Sequence, residues 1–301
     1  MNHRIGFIGI GAMGHGMAKN LIEKDFSVVT MAHRSRERLD DLIKRGATEG
    51  NSPKDIIDQT DIVILCVTGS PQVETIVYGE NGLIESENLS GKIVIDCSTG
   101  EPAVVEKIAS DLRKKGCKFA DAPLARTPVE AAAGKLNTMV GADPELFTII
   151  EPVLQAFCEN IFLMGDVGSG SKMKLINNLI TMGQASLIAE AMAACKSTGV
   201  DLNRFRNVIS AGGGNSGIFQ MIVPAILDEG SFDGMKFSVA NARKDLNYLN
   251  KMLNDNNVSS PLAALVHNVF VRASNNGHED GLVGAIVAEH ATANNLEIGK
   301  Y

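Results

Sequence analysis

The sequence lacks an excess of positive charge and any long hydrophobic run. Lysine and arginine together number 28, aspartate and glutamate number 35, and the formal net charge is −7. This balance gives no electrostatic reason to bind nucleic acid or an anionic membrane. No stretch of about 18 apolar residues occurs, and no basic-then-apolar segment precedes the first strand-like run, so we predict neither a membrane span nor a signal segment. An anionic substrate must then be attracted by a local positive site.

The sequence also has few cysteines, and they lack the spacing of metal ligands. The five are scattered, odd in number and mostly set in apolar runs: Cys66, Cys97, Cys117, Cys158 and Cys195. We therefore expect reduced, buried thiols in a cytoplasmic protein rather than disulfides. The histidines are isolated as well, so no metal site is predicted.

Short β-branched runs alternate with segments of helical periodicity in the first half of the chain. The strands predicted in this way are residues 5–8, 28–31, 62–67, 93–95, 119–120, 138–140 and 161–163. Helical periodicity is clearest over residues 14–24 and 36–44. Such alternation predicts βαβ units and an α/β domain with a mostly parallel sheet.

The alternation of strand-like and helical segments ends after Gly170. Residues 172–197 contain no proline and one glycine, and Gly199 follows where a helix would end. We predict one long helix there, followed by further helices and no convincing strand. The domain change is placed near Val167, which gives a domain over 1–166 and an all-helical domain over 167–301.

A glycine-rich turn follows the first strand. It reads Gly9-Ile10-Gly11-Ala12-Met13-Gly14 and leads into a helix. In the dinucleotide-binding fingerprint, such glycines let the backbone turn tightly and approach a pyrophosphate at the N-terminus of the helix. A plain tight turn is the alternative, but the position between a strand and a helix favours the dinucleotide.

The second strand bears on which dinucleotide is bound. An NAD site usually ends this strand with an acidic residue, whereas this chain reads Ala32-His33-Arg34-Ser35-Arg36. Arg34, and with it Arg36, could instead pair with the 2′-phosphate of NADP. The alternative is a set of solvated residues around a Ser35 helix cap. The pattern favours NADP and leaves NAD open.

Lys174 and Asn178 are four residues apart in the long helix and share one face. Lys174 lies among apolar neighbours, and such surroundings lower the pKa of an ammonium group toward the range useful for proton transfer. A lysine that only extends its charge to solvent, beside an amide that packs a helix, explains the spacing equally well.

Four motifs together make the chain similar to the β-hydroxyacid dehydrogenase family, which includes 3-hydroxyisobutyrate dehydrogenases and tartronate semialdehyde reductases. They are the N-terminal segment Phe7 to Asn20, Asp96-Cys97-Ser98-Thr99, Asp121-Ala122-Pro123, and Gly168-Ser169-Gly170 through Lys174 to Asn178. A later segment, Lys244-Asp245-Leu246 preceded by Phe237, also resembles the family. The resemblance implies a Rossmann domain, a long interdomain helix and a helical domain that often dimerises, here as a homodimer or homotetramer.

The resemblance also implies roles for individual residues. It makes Lys174 the general acid in aldehyde reduction and the base in alcohol oxidation, with Asn178 orienting the reacting groups. It places Thr99 by the nicotinamide, and Lys244 near the cofactor or the closed cleft. The candidate cofactor-binding residues are Gly9, Gly11, Ala12, Met13, Gly14, His33, Arg34, Ser35, Val67, Thr99 and Lys244. Related imine reductases and non-catalytic dinucleotide-binding relatives replace the catalytic lysine, so its presence here favours carbonyl chemistry.

One departure from the family concerns the substrate loop. The family usually has Ser-Gly-Gly after Asp-Ala-Pro, whereas this chain reads Leu124-Ala125-Arg126-Thr127. The dipeptide Arg126-Thr127 resembles the sulfolactaldehyde reductase branch of the family. A guanidinium group can bind a sulfonate or a carboxylate through paired hydrogen bonds. An arginine that simply faces solvent is the alternative. Candidate substrates are 3-sulfolactaldehyde, tartronate semialdehyde and methylmalonate semialdehyde, and the candidate substrate-binding residues are Arg126, Thr127, Asn177, Thr181 and Phe237.

Overall fold

The computed structural model describes residues 3–33 and 36–299. The chain divides into two compact units, Met1–Lys174 and Leu175–Tyr301. The division falls inside one long helix, whereas the sequence placed the domain change near Val167, just before that helix begins.

The first unit alternates strands and helices. Its strands are β1 (Ile5–Ile8), β2 (Val28–Thr30), β3 (Thr48–Glu49), β4 (Ile62–Leu65), β5 (Ile93–Asp96), β6 (Lys118–Asp121), β7 (Leu124–Ala125), β8 (Leu136–Gly141) and β9 (Cys158–Gly165). Its helices are α1 (Gly14–Glu23), α2 (Glu37–Lys44), α3 (Pro53–Gln59), α4 (Ser70–Tyr78), α5 (Pro102–Lys114), α6 (Pro128–Ala133) and α7 (Pro144–Leu154), with a 3₁₀ turn at Leu83–Glu85.

The sheet has the strand order β3-β2-β1-β4-β5-β6-β8-β7, with β9 paired to β8. Along this order, each strand from β3 to β6 pairs in parallel with its neighbour. Strand β8 pairs antiparallel with β6 and β7 and parallel with β9. The first six strands have the order of a dinucleotide-binding doubly wound fold, in which ligands bind beyond the carboxyl ends of the strands where the order reverses. The predicted Rossmann architecture with a mostly parallel sheet is confirmed.

The apolar runs of the central strands are buried on both faces. Along β4, Ile62 and Ile64 pack into one core and Val63 and Leu65 into another. Successive side chains of a strand point to opposite faces, so a continuous Ile/Val/Leu run fills both layers between sheet and helices. This is why the strands lack alternation of polar and apolar residues.

Strands β6 and β7 carry the chain past the carboxyl edge of the parallel strands. Asp121 at the end of β6 pairs with Gly141, and Ala125 pairs with Asn137 further along the same antiparallel partner. Helix α6 follows and packs on α1, where the amide of Asn20 donates to the carbonyl oxygens of Gly16 and Ala131 at 2.7 and 2.8 Å. The substrate-loop segment is thereby fixed beside the helix that follows the glycine-rich turn.

The second unit is helical. It takes the chain from within α8 (Ser169–Thr198) through α9 (Leu202–Ala211), α10 (Gly217–Glu229), α11 (Val239–Asp255), α12 (Pro261–Ala273) and α13 (Ala285–Ala293), with a π-helical turn at Ser274–His278. Its apolar core is separate from the two cores of the sheet. Among its described residues the only β contact is an isolated bridge between Ser238 and Leu282, and the expected all-helical character is confirmed.

Helix α8 has 30 residues, from Ser169 to Thr198, and Gly199 follows it with a φ of +77°. The sequence predicted this helix over 172–197, so its start was placed three residues late. Within the described ranges, no helix combines the length and the apolar character that crossing a bilayer requires.

Candidate active site

The glycine-rich turn has the shape that a pyrophosphate requires. Gly9 has a φ of +105°, and a Cβ there would overlap the carbonyl oxygen of Cys66, while a Cβ on Gly14 would overlap that of Gly9. At Gly11, by contrast, no heavy atom lies within 4 Å of a Cβ position. Two glycines therefore allow tight packing and the middle one leaves room for an approaching group.

The N-terminus of α1 faces this turn without a side-chain cap. Gly11 and Ala12 are exposed and Met13 is half-buried. Among the described residues, no side chain caps the helix and its first turn holds no acidic residue. Free N–H groups at a helix N-terminus bind anions, so the chain's own residues fit the phosphates of a dinucleotide.

The ends of β4 and β5 meet beside this turn. The N–H of Val67 donates to Oγ of Ser98 at 3.0 Å, and the N–H of Ser98 donates to the buried carboxylate of Asp96 at 2.9 Å. Thr99 follows and is half-buried. The predicted residues Val67 and Thr99 thus flank a polar link made by Ser98, which the sequence reasoning did not single out.

The predicted 2′-phosphate residues are described only in part. His33 is exposed, while Arg34 and Ser35 lie outside the described residues. Arg36 is engaged elsewhere, because its guanidinium donates to both carboxylate oxygens of Glu49 at 2.8 and 2.9 Å. Glu49 lies at the end of β3 and pairs with Thr30 of β2. The NADP assignment stays a prediction that depends on Arg34.

Asp121 holds the start of α8 against the sheet. Its carboxylate is buried and accepts the N–H groups of Gly168 at 2.7 Å and Ser171 at 2.6 Å. Burial raises the pKa of this carboxyl, and the two backbone hydrogen bonds act in the opposite direction. A carboxylate that binds the first N–H groups of a helix also suits the helix dipole.

Lys174 lies one turn beyond this anchor and is only 8% exposed. Lys172, two residues earlier, is an ordinary surface lysine whose ammonium is 2.7 Å from the carboxylate of Glu106. Lysine is rarely this buried without a reason. The contrast between two neighbouring lysines favours a specific role for Lys174 over simple extension of its charge to solvent.

Asn178, on the face shared with Lys174, is held by a carboxylate from α11. Its amide donates to Asp245 Oδ2 at 2.7 Å, and the other oxygen of Asp245 lies 3.0 Å from Nζ of Lys244. Asp245 is 1% exposed. Asp245 connects two predicted site residues, Asn178 and Lys244, and its contact with Asn178 has no local signal in the sequence because the two residues are 67 positions apart.

The remaining predicted residues of the second unit have structural partners. The Asn177 amide is 3.3 Å from Oδ1 of Asn178, and the Thr181 hydroxyl donates to carbonyl oxygens of its own helix at 3.2 and 3.3 Å. Phe237 is half-buried against the helical core. Their predicted part in substrate binding stays a prediction.

Arg126 has an unusual backbone and an acidic partner. Its φ is +81°, and its Nη1 donates to Glu159 Oε2 and to the carbonyl oxygen of Lys135, both at 2.5 Å. Placing a residue other than glycine in the left-handed region costs roughly 1–2 kcal/mol, whereas an exposed ion pair contributes about 0.2–1 kcal/mol. Stability alone therefore gives no reason for an arginine here.

Thr127 caps α6. Its hydroxyl oxygen accepts the N–H of Val129 at 3.3 Å, and the Glu130 carboxylate accepts both the N–H and the hydroxyl of Thr127. This is a capping box, with Pro128 in the first turn. The pattern Thr-Pro-Val-Glu was available in the sequence and was overlooked. A substrate that binds the Thr127 hydroxyl has to share it with the cap.

The cysteines form no site with these residues. All five are free thiols, and burial raises the pKa of Cys66, beside the glycine-rich turn, to about 12. A thiol with such a pKa is protonated and unreactive near neutral pH. No group of three or more His, Cys, Asp or Glu side chains able to hold a metal ion is found in residues 3–33 and 36–299.

Two family models match the chain in succession. The NAD binding domain of 6-phosphogluconate dehydrogenase matches residues 4–165, and the domain described as NAD-binding of NADP-dependent 3-hydroxyisobutyrate dehydrogenase matches residues 168–288. L-threonate dehydrogenase of Cupriavidus necator is 32% identical over 279 residues, which cover 92% of this chain and 93% of that protein. The chain belongs to the β-hydroxyacid dehydrogenase family. It is an NAD(P)-dependent oxidoreductase of the hydroxyacid dehydrogenase type.

Other members of the β-hydroxyacid dehydrogenase family match over the same length. The 3-sulfolactaldehyde reductase of Escherichia coli is 29% identical and covers 92% of both chains. The solved structure of 3-hydroxyisobutyrate dehydrogenase from Mycobacterium tuberculosis with L-serine has a TM-score of 0.86 at 22% identity, and covers 95% of this chain and 98% of that one. This last likeness establishes the fold, and the family predicted from the motifs is confirmed.

Proposed function

We propose that this protein interconverts a small acidic aldehyde and its hydroxy acid, with Lys174 as the general acid of reduction and the general base of oxidation. The observation that carries the proposal is the buried Lys174 on a helix whose first turn is fastened by Asp121 to the carboxyl end of β6. A buried ammonium group can be placed within hydrogen-bonding reach of a substrate atom, which proton transfer requires.

The cofactor would be held by the glycine-rich turn, the N-terminus of α1 and the segment around Val67 and Thr99. When bound, the reduced nicotinamide supplies the hydride. We propose NADP as the preferred form because the end of β2 offers Arg34 and no acidic side chain. NAD remains the second candidate.

Lys174 as ammonium donates a hydrogen bond to the aldehyde oxygen and transfers its proton as negative charge develops there. Asn178 lies one helical turn further on the same face, and its amide is kept in one orientation by Asp245. In this proposal the oriented amide contacts the carbonyl group together with Lys174 and limits the positions that this group can take, which reduces the entropy lost on reaching the transition state.

Arg126 binds the acid group of the substrate in this proposal, together with Thr127. The 3-sulfolactaldehyde reductase of Escherichia coli is similar over nearly the whole chain, which supports 3-sulfolactaldehyde as the first candidate substrate. Tartronate semialdehyde and methylmalonate semialdehyde are the alternatives with a carboxylate. Asn177, Thr181 and Phe237 are proposed to contact the rest of the substrate.

The test is oxidation of NADPH and NADH at matched concentrations with each of the three aldehydes. We expect the highest kcat/KM with NADPH and 3-sulfolactaldehyde, and a loss of this preference in Arg126→Ala, mainly through KM. Turnover that is equal for charged aldehydes and an uncharged one of the same size would contradict the anion site. No turnover of any aldehyde would contradict the proposal as a whole.

We further propose a homodimer or homotetramer in the cytoplasm. Ile176, Ile180 and Leu187 lie on one face of α8 and are exposed. A stripe of large apolar side chains on a helix is a common feature of subunit interfaces. The five free cysteines agree with a reducing compartment.

A further inference from the structure

Strand β9 carries a β-bulge at its start. Leu136 pairs with Cys158 and Asn137 pairs with Asn160, so Glu159 is an extra residue with no counterpart on β8. A bulge redirects the side chain of the extra residue. Here the redirected carboxylate reaches Nη1 of Arg126 at 2.5 Å.

The bulge lies next to the substrate-loop segment. Asn137, which follows the bulge position on β8, pairs on its other side with Ala125, the residue before Arg126. Two backbone irregularities therefore lie at the same corner of the sheet, the positive φ of Arg126 and the bulge at Glu159. They bring the two oppositely charged side chains into contact. Irregularities of this kind concentrate at functional sites.

The contact between the two side chains is a charge-assisted hydrogen bond that is partly open to solvent. Glu159 Oε2 accepts a hydrogen bond from Nη1 of Arg126, and the same nitrogen donates to the carbonyl oxygen of Lys135; the side chains of Arg126 and Glu159 are 33% and 47% exposed. A guanidinium prefers two parallel hydrogen bonds to an oxyanion, and an exposed single contact contributes little. A bound acid group could exploit the remaining donors of Arg126, but it would meet the negative charge of Glu159.

We propose that Glu159 is an internal competitor for the guanidinium of Arg126 and so a specificity-determining residue of the anion site. Its carboxylate partly neutralises Arg126, weakens the attraction for an acid group, and favours acids that form two hydrogen bonds over those that form one. The inference rests on the proposed function in so far as Arg126 binds the acid group of the substrate.

The test compares Glu159→Gln with wild type in the full-length protein. Glutamine keeps the shape of the side chain and removes its charge. We expect KM for the anionic aldehyde to fall on the order of threefold to tenfold with kcat unchanged. In a variant that already carries Arg126→Gly, Glu159→Gln should leave KM unchanged, because both substitutions act through the same contact between residues 126 and 159.

Asp228→Asn is the matched control. Asp228 forms an exposed pair with Arg206 on the helices of the second unit, with hydrogen bonds of 2.6 and 2.8 Å. This variant changes the net charge by the same amount and breaks another exposed pair between an arginine and a carboxylate, so it should leave KM unchanged. An unchanged or raised KM in Glu159→Gln, or an equal fall in Asp228→Asn, would overturn the inference.

A binding measurement separates this inference from the proposed function. Inorganic sulfate and glycerate are titrated calorimetrically in the presence of NADPH, where no reaction occurs. Tighter binding to Glu159→Gln, lost in the Arg126→Gly background, supports the inference even if none of the aldehydes is turned over. Equal binding to wild type and Glu159→Gln overturns it even if turnover is as proposed.

Discussion

Arg126 occupies a backbone conformation that normally falls to glycine. We expect Arg126→Gly to have a free energy of unfolding equal to or above that of wild type, because relief of the strained positive φ offsets the loss of the ion pair. Its KM for an anionic aldehyde should rise at least tenfold, since an ion pair with substrate is lost. Thermal unfolding and steady-state kinetics measure the two effects. Arg126→Ala, which keeps the strained backbone, is the control and should be the less stable variant. A KM equal to that of wild type would remove Arg126 from the anion site.

In the proposed mechanism Asp245 acts through Asn178, whose amide donates to its carboxylate, and would be a positioning residue. Asp245→Ala removes the acceptor of the Asn178 amide, and we expect kcat to fall about 10- to 100-fold because the amide can rotate. Affinity for NADPH, measured by fluorescence titration, reports separately on the pair between Asp245 and Lys244, a candidate cofactor-binding residue. Asp245→Asn keeps an acceptor oxygen and should recover part of kcat. If Asp245→Asn loses as much kcat as Asp245→Ala, the hydrogen bond to the Asn178 amide is not the cause and the positioning role is wrong.

At the scale of single residues, local patterns predicted the tight glycine-rich turn, which the structure shows, and the Lys174–Asn178 pair, whose part in the chemistry stays a prediction. The glycines of the turn and the Lys174–Asn178 pair belong to short motifs with a physical reason for their spacing. The carboxylate partners of Asn178 and Arg126 could not be predicted, because Asp245 is 67 positions from Asn178 and Glu159 is 33 positions from Arg126. Only the folded chain brings such groups together.

Helix α6 depends on its capping box. We expect Thr127→Ala to lower the free energy of unfolding by about 1 kcal/mol, the usual contribution of a threonine cap, and Thr127→Ser to restore it. The hydrogen bond from Thr127 lowers the pKa of Glu130. This stabilisation is then present above the unfolded-state pKa of Glu130 and is lost as the pH falls through its lower folded-state pKa. Denaturant unfolding between pH 3 and 7 measures it, and Glu130→Gln should flatten the profile. A profile as steep in Glu130→Gln as in wild type would refute the assignment.

The start of α8 shows why element boundaries are harder to predict than elements. Periodicity placed the helix at 172–197 and the structure begins it at Ser169. The added turn is stabilised by Asp121, a residue from β6 that accepts the N–H groups of Gly168 and Ser171. A cap supplied from nearly 50 positions away leaves no signal in the local sequence.

For the whole molecule, the alternation of strands and helices predicted the parallel sheet, and the loss of strands after Gly170 predicted the helical unit. The order in which the strands pair was not predicted, and neither were the two-residue strands β3 and β7. These short strands form because tertiary contacts hold them beside longer neighbours, and two residues are too few to show a period.

The exposed stripe on α8 gives a test of assembly. We expect light scattering to report a dimer or tetramer for wild type, and Leu187→Glu to shift it toward monomer, because a buried charge disfavours an apolar interface. Exposed Leu262 on α12 is a suitable control, since Leu262→Glu changes the charge equally on another helix. A wild-type monomer, or an assembly that Leu187→Glu does not change, would contradict the proposed interface.

The central claim is that Lys174 transfers the proton in an NAD(P)-dependent aldehyde reduction. The most direct measurement is the single-turnover rate of NADPH oxidation by Lys174→Met, with Lys172→Met as the matched surface control. We predict that Lys174→Met lowers this rate by a factor on the order of 10²–10⁴ while NADPH still binds, and that Lys172→Met leaves it near wild type. A Lys174→Met variant that transfers hydride as fast as Lys172→Met would contradict the account.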